Sequence, residues 1–169
     1  MTALDAINSI AAVPKPDRLH LVQIMSMKNS ILLAAALCLV VSAHAAPPKI
    51  PSEVELRAMT LESLLDFNKS VQAADFTILY DSLSKIWQDQ TTPAKLKSLF
   101  QSFIDKEVDI SPIKKVEPVF NKPAEIDSDE VLIVRGYYPT KPKRVIFQLK
   151  YYSENSDWKL VGIKIDIDD

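Results

Sequence analysis

The chain has 169 residues, 47% of them hydrophobic and 25% charged, and a formal net charge of −2. That balance suits one soluble globular domain and gives no basic surface for nucleic acid. Two glycines in the whole chain exclude the glycine-rich loops that cradle phosphates by close backbone approach.

Residues 1–26 precede a better start, since Met25 and Met27 stand just before the basic Lys28; they are read as a gene-model extension or a disordered lead. Residues 27–45 read as a signal peptide, with Lys28, the uncharged run from Ile31 and the small-residue closure Ala43-His44-Ala45. The apolar stretch Ile31 to Val41 is too short to span a bilayer, which takes about 20 residues. Cleavage after Ala45 predicts an exported protein, periplasmic or extracellular, with no stable membrane insertion afterwards. The mature part carries 17 Lys and Arg against 20 Asp and Glu, and neither cysteine nor histidine, because Cys38, His20 and His44 all lie upstream. It must therefore fold on core packing without disulfides. It also lacks the usual nucleophile–base pairs and Cys/His zinc sites.

Residues 46–59 form a proline-rich lead with possible first helical turns, where Ser52 to Glu55 fits a capping box. Thr60 offers a second start, and from Leu61 a helix is expected to run to about Ala74, with Leu61, Leu64, Leu65, Asn68, Val71 and Gln72 on one face. Asp75 is the expected N-cap of a second helix with the stripe Phe76, Leu79, Tyr80, Leu83, Ile86 and Trp87. Thr92-Pro93 opens a third, cap followed by proline at the first helical position, with Leu96, Leu99, Phe100, Phe103 and Ile104 apolar.

After Ser111-Pro112 the period changes from 3.6 to 2. Val116 to Asn121 reads as a short edge strand containing Pro118. Val131 to Tyr138 reads as a second strand, with Val131, Ile133, Arg135 and Tyr137 on one face and Leu132, Val134 and Tyr138 on the other. Arg144 to Tyr152 is the third, with Val145, Phe147, Leu149 and Tyr151 inward. Trp158 to Ile167 is the last, with a bulge expected between Leu160 and Val161 beside Gly162. Helices followed by hairpin-linked strands specify an α+β fold: three N-terminal helices on a curved four-stranded antiparallel sheet.

The stretch Leu64 to Gln72, the Asp75-Phe76 restart, the passage Trp87 to Pro93 and the ending Trp158 to Gly162 resemble small secreted bacterial members of the NTF2-like (cystatin-like) superfamily, over roughly residues 60 to 167. The resemblance implies a cone of helices and bent sheet with a possible pocket. It does not imply an activity, and no cofactor or metal is expected.

Asn68 lies within an apolar arc, so its amide either meets a ligand or ties the helix to a strand backbone. Arg135 interrupts an apolar face, where it either holds an anion or sits exposed at the rim. With Tyr80, Trp87, Tyr137 and Phe147 they form the expected lining of a site for a small apolar or anionic ligand. An alternative is an assembly module in which the outer sheet face, with Tyr138, Ile146, Gln148 and Tyr152, pairs with a second copy or a partner protein. An enzymatic alternative, isomerase- or hydratase-like, would need Asp66 or Asp81 beside a tyrosine such as Tyr80, Tyr137, Tyr138 or Tyr151. Lys141, Lys143 and Arg144 read as a solvated hairpin tip or an anion patch. Asp127 to Glu130 lacks the glycine and oxygen spacing of a calcium loop.

Overall fold

The computed structural model describes residues 49–168. The signal peptide, the residues before it and the export reading lie outside the described residues, as do Cys38, His20 and His44. The described chain runs as helices followed by strands: α1 Glu53–Ala73, α2 Thr77–Ser82, α3 Lys85–Gln88, α4 Pro93–Leu99, α5 Gln101–Asp105, a 3-10 turn Ser111–Lys115, then β1 Val119–Phe120, β2 Glu125–Ile126, β3 Val131–Tyr138, β4 Arg144–Glu154 and β5 Asp157–Asp168.

α1 starts at the Ser52 capping box, the first of the two expected starts, and runs straight through Thr60. Ser52 Oγ accepts from the Glu55 N–H, and Glu55 Oε2 accepts from the Ser52 N–H at 2.7 Å, so two orphan donors of the first turn are satisfied. The helix ends at Ala74 in the left-handed conformation, its N–H bonded to the Ser70 and Val71 carbonyls. The buried face runs through Leu56, Thr60, Leu64, Phe67, Asn68 and Val71. Leu61 and Leu65 pack only partly against the core.

The second and third expected helices are each divided. α2 stops because Leu83 turns extended and the Ser84 N–H donates to the Leu160 carbonyl of β5 at 2.9 Å. Ser84 then caps α3 by accepting from Trp87 N–H. The N-cap of α2 is Phe76, not the expected Asp75, and it carries no side-chain cap bond; Asp75, one residue earlier, accepts from the Thr77 N–H and hydroxyl. α4 is capped by Thr92, which accepts from Lys95 N–H at 3.2 Å, with Pro93 in the first turn. It breaks from α5 at Phe100. The apolar stripes persist across both breaks because Phe67, Phe76, Phe100 and Phe103 form one aromatic cluster, with Phe67 edge-on to Phe100 at 5.0 Å and Phe76 stacked on Phe100 at 5.7 Å.

The sheet is antiparallel throughout, in the order β1-β3-β4-β5, with β2 also paired to β3. It has five strands, not four: the expected strand Val116 to Asn121 is only Val119–Phe120, beginning after Pro118, and β2 continues the same edge. The remaining strands match their expected spans to within two residues. The bulge is real: Tyr151 faces Leu160 and Lys150 faces Gly162, which leaves Val161 as the extra residue. Asn155 and Ser156, both at positive φ, form the two-residue turn between β4 and β5.

One face of the sheet meets the helices. Leu132, Val134, Tyr138, Val145, Phe147, Leu149, Tyr151, Leu160, Ile163 and Ile165 join Leu64, Phe67, Leu79, Leu96 and Ile113 in a single core. Gly136 permits this layer: a Cβ there would overlap the Val119 carbonyl oxygen and lie 2.9 Å from Phe147 Cζ.

Candidate functional site

The six residues expected to line a ligand site are not brought together. In the β3–β4 ladder Gly136 faces Phe147, Arg135 faces Gln148 and Tyr137 faces Ile146. Side chains on facing positions share a sheet face, so Phe147 points into the core while Arg135 and Tyr137 lie on the outer face. The sequence pattern left both faces of β3 apolar, and the expected set mixed the two. For the same reason the expected outer set needs one exchange: Ile146, Gln148 and Tyr152 are on the outer face with Tyr137, whereas Tyr138 is on the core face and buried.

Arg135 holds no free fork. Its Nη1 donates to Glu125 Oε1 at 2.7 Å and its Nε to Gln148 Oε1 at 3.1 Å, a polar row across β2, β3 and β4. Asn68 is buried and engaged at both ends of its amide: Oδ1 accepts the Ile110 N–H at 2.8 Å and Nδ2 donates to Asp109 Oδ1 at 3.0 Å. It ties α1 to the loop before the 3-10 turn, not to a strand. Trp87 is buried in the core. Tyr80 is part-buried, its hydroxyl 3.4 Å from the Gln88 carbonyl, while Gln88 Nε2 donates to the Tyr80 carbonyl at 2.9 Å.

A depression among the described residues lies elsewhere. A groove of about 810 Å³ runs between the N-terminal half of α1 with its lead and the β4–β5 hairpin. Ile50, Pro51, Ala58, Met59 and Trp158 supply its apolar surface, with Lys49, Glu55, Glu62, Asp157 and Lys159 among its polar lining. Ile50 is 43% exposed. Glu55 is held below the usual carboxylate range, first by the Ser52 hydroxyl and then by the Ser52 backbone N–H. The Ser52–Glu55 capping box lies in one wall of the groove.

A side cavity of about 100 Å³ shares Met59, Glu62, Trp158 and Lys159 with that groove and adds Ser63, Asp66, Ser82, Tyr151 and Leu160. It thus brings one of the two candidate carboxylates to a tyrosine. Tyr151 is buried, its hydroxyl 3.0 Å from Ser63 Oγ and donating to the Met59 carbonyl at 3.2 Å. Burial pushes this phenol well above the ordinary tyrosine range, which keeps it protonated. Asp66 pairs with Lys69 at 2.9 Å, one turn along the same helix. Asp81 is exposed on α2.

The remaining charged segments serve local structure. Arg144 pairs with Asp168 and lies 5.3 Å over the Tyr137 ring. Asp127 Oδ1 accepts from the Asp129 and Val131 N–H groups, which closes its loop. Arg57 bridges Glu53 and Glu117 at 2.5 and 2.6 Å and so ties α1 to the segment before β1. No helix among the described residues is long and apolar enough to cross a membrane.

Sequence reasoning missed Ile50, Met59 and Trp158 as neighbours. The available signal was Trp158 itself, a large aromatic at the second residue of β5, directly after a tight hairpin turn.

No protein-family model matches the chain, and no curated protein matches it. Among solved structures it is similar to an NTF2-like protein of unknown function from Shewanella baltica OS155, over 71% of this chain and 99% of that one, at 18% identity and a TM-score of 0.40. That neighbour carries the same fold-family description as the sequence resemblance. A likeness at this level adds nothing about what the chain binds.

Proposed function

We propose that the domain is an exported, non-catalytic binding module that holds a small molecule with an apolar body and a charged end in the groove between α1 and the β4–β5 hairpin. The observation that carries this reading is the groove itself. Its volume of about 810 Å³ lies within the range of small-ligand sites, roughly 300–1,000 Å³, and it joins an apolar floor to a few charged groups. Lys49 and Lys159 are the groups in it that would meet an anionic end. This moves the ligand from the interior of the helix–sheet core to its margin, since Phe147 and Trp87 are themselves core. Export rests on the signal-peptide pattern, and the protein recovered outside the cytoplasm should begin at Ala46.

Titration with a fatty-acid or naphthalene-sulfonate probe, read by tryptophan emission, tests the proposal. Trp158 is in the groove and Trp87 is buried, so saturable binding should alter the emission of Trp158. Trp158→Phe should remove the signal, and Ala58→Arg, which fills the groove from an exposed helix position, should abolish binding. Binding that survives Ala58→Arg unchanged would refute the site.

The enzymatic alternative keeps one specific observation, the shared cavity of Asp66 and Tyr151. It requires Asp66 to leave Lys69 and act as a base. Loss of an isomerase- or hydratase-type turnover in both Asp66→Asn and Tyr151→Phe, with probe binding intact, would favour it over simple binding.

A further inference from the structure

β5 is the last strand of the sheet. Among the described residues its outer edge meets only the α2–α3 connection, through the Leu83–Leu160 bridge and the Ser84 N–H on the Leu160 carbonyl. Beyond the bulge, no described residue pairs with the strand from Gly162 to Asp168 on that side. In an antiparallel ladder the peptide groups of alternate residues point to alternate sides. Ile167 N–H donates to the side chain of Asp166 at 2.9 Å, a local partner for a donor that faces away from β4. With Ile167 outward, Ile165 and Ile163 are outward too.

We infer that this edge pairs antiparallel with the same edge of a second copy, about a two-fold axis at Ile165. The charge pattern selects both the partner and the register. Lys164 and Asp166 flank Ile165, are exposed, and face Gln148 and Ile146 on the outer face of the sheet. Among the described residues Lys164 has no ion-pair partner. Pairing centred on Ile165 sets Lys164 opposite Asp166 of the second copy, and Asp166 opposite its Lys164. Both pairs fall at the non-hydrogen-bonded positions, where side chains approach most closely. Moving the centre by one residue sets Lys164 against Lys164 or Asp166 against Asp166, which is repulsive. Isologous contacts of this kind must be self-complementary, and this strand is. The hydrogen bonds also exchange cleanly. Ile167 N–H passes to the Ile163 carbonyl of the second copy, and the Asp166 carboxylate released from it receives the Lys164 ammonium. Charged side chains on an edge strand usually discourage such pairing; here their alternation discourages every neighbouring register instead.

A contact confined to one strand edge is at the small end of specific interfaces, below about 1,200 Å², so the association is weak and depends on concentration. Sedimentation velocity of the full chain over a concentration series reads it directly. Wild type is expected to move from monomer to dimer, with amide hydrogen exchange at Ile163 and Ile165 slowing as the dimer forms. K164D and D166K each turn two attractions into two repulsions and should weaken the dimer about tenfold or more. An equimolar mixture of the two variants restores both attractions in the heterodimer, and the double variant K164D/D166K restores them in the homodimer. Rescue in either case also shows that the variants are folded. A monomer at every concentration, dimers indifferent to the single reversals, or failure of the mixture to associate would overturn the inference.

Discussion

Replacing Asn68 with alanine removes both bonds of the tie between α1 and the loop at Asp109. The Ile110 N–H loses its acceptor in a buried setting, since Ile110 is 2% exposed; an unsatisfied buried donor costs about 1–3 kcal/mol. Asp109 loses one donor but keeps the Ser111 N–H at 2.8 Å and the Ser111 hydroxyl at 2.9 Å, so that loss is roughly 0.5–1 kcal/mol at an exposed carboxylate. Alanine returns about 0.5 kcal/mol through helix propensity. The net is a destabilisation of about 2 kcal/mol, or a fall in Tm of roughly 6–12 °C for a domain of this size. Urea unfolding followed by Trp87 emission measures it, with an unchanged m-value showing that the folded state keeps its compactness. Asn68→Asp is the control. It keeps an acceptor for Ile110 but sets a second carboxylate beside Asp109, so its stability should improve relative to wild type as the pH is lowered and the pair takes up a proton. A loss below about 0.5 kcal/mol for Asn68→Ala would refute the tie and reopen Asn68 as a ligand group.

Gly136→Ala sets a methyl against the Val119 carbonyl and Phe147; overpacking of this kind costs about 1–3 kcal/mol, and an unfolding midpoint equal to wild type would show that β1 yields without cost. Tyr138 has a buried hydroxyl with no hydrogen-bond partner among the described residues, so Tyr138→Phe should raise stability by about 1 kcal/mol in chemical unfolding. Burial also pushes the Tyr138 phenol up to about 12. Above the unfolded value of about 10 the unfolded chain releases a proton that the folded state keeps, so stability falls as pH rises towards the folded value, and the variant should lose less stability in alkali. Asp109 is held below the usual carboxylate range, first by the Ser111 N–H. Its share is present above the unfolded value of about 3.9 and lost as pH falls through the lower folded value; Asp109→Asn should be less stable at neutral pH and less sensitive to acid.

The starts of α1 and α4 were legible because capping is local: Ser52 and Thr92 each act within three residues of themselves. The long strands were legible because β3, β4 and β5 alternate cleanly, and the Val161 bulge showed as a slip of phase. The helix breaks at Leu83 and Phe100 were not legible. Both residues stay on the apolar stripe, and the first break answers to Leu160, which lies far along the chain. The facing of β3 was ambiguous because Val131, Ile133 and Tyr137 are as apolar as Leu132, Val134 and Tyr138; only pairing with Phe147 and Leu149 decides it. The site was least legible of all. Arg135 and Asn68 stood out as polar residues in apolar patterns, yet their partners Glu125, Gln148, Asp109 and Ile110 are long-range or backbone groups that no local pattern reveals. The groove joins Ile50 and Met59 to Trp158, across a separation that periodicity does not bridge.

The central claim is that ligands meet this chain at the α1–hairpin groove. Amide chemical-shift mapping with the fatty-acid probe tests it most directly. Shifts concentrated at Ile50 to Glu62 and Ser156 to Lys159 are the predicted result. Shifts centred on Asn68, Trp87, Val134 and Phe147, with the groove unmoved, would contradict it.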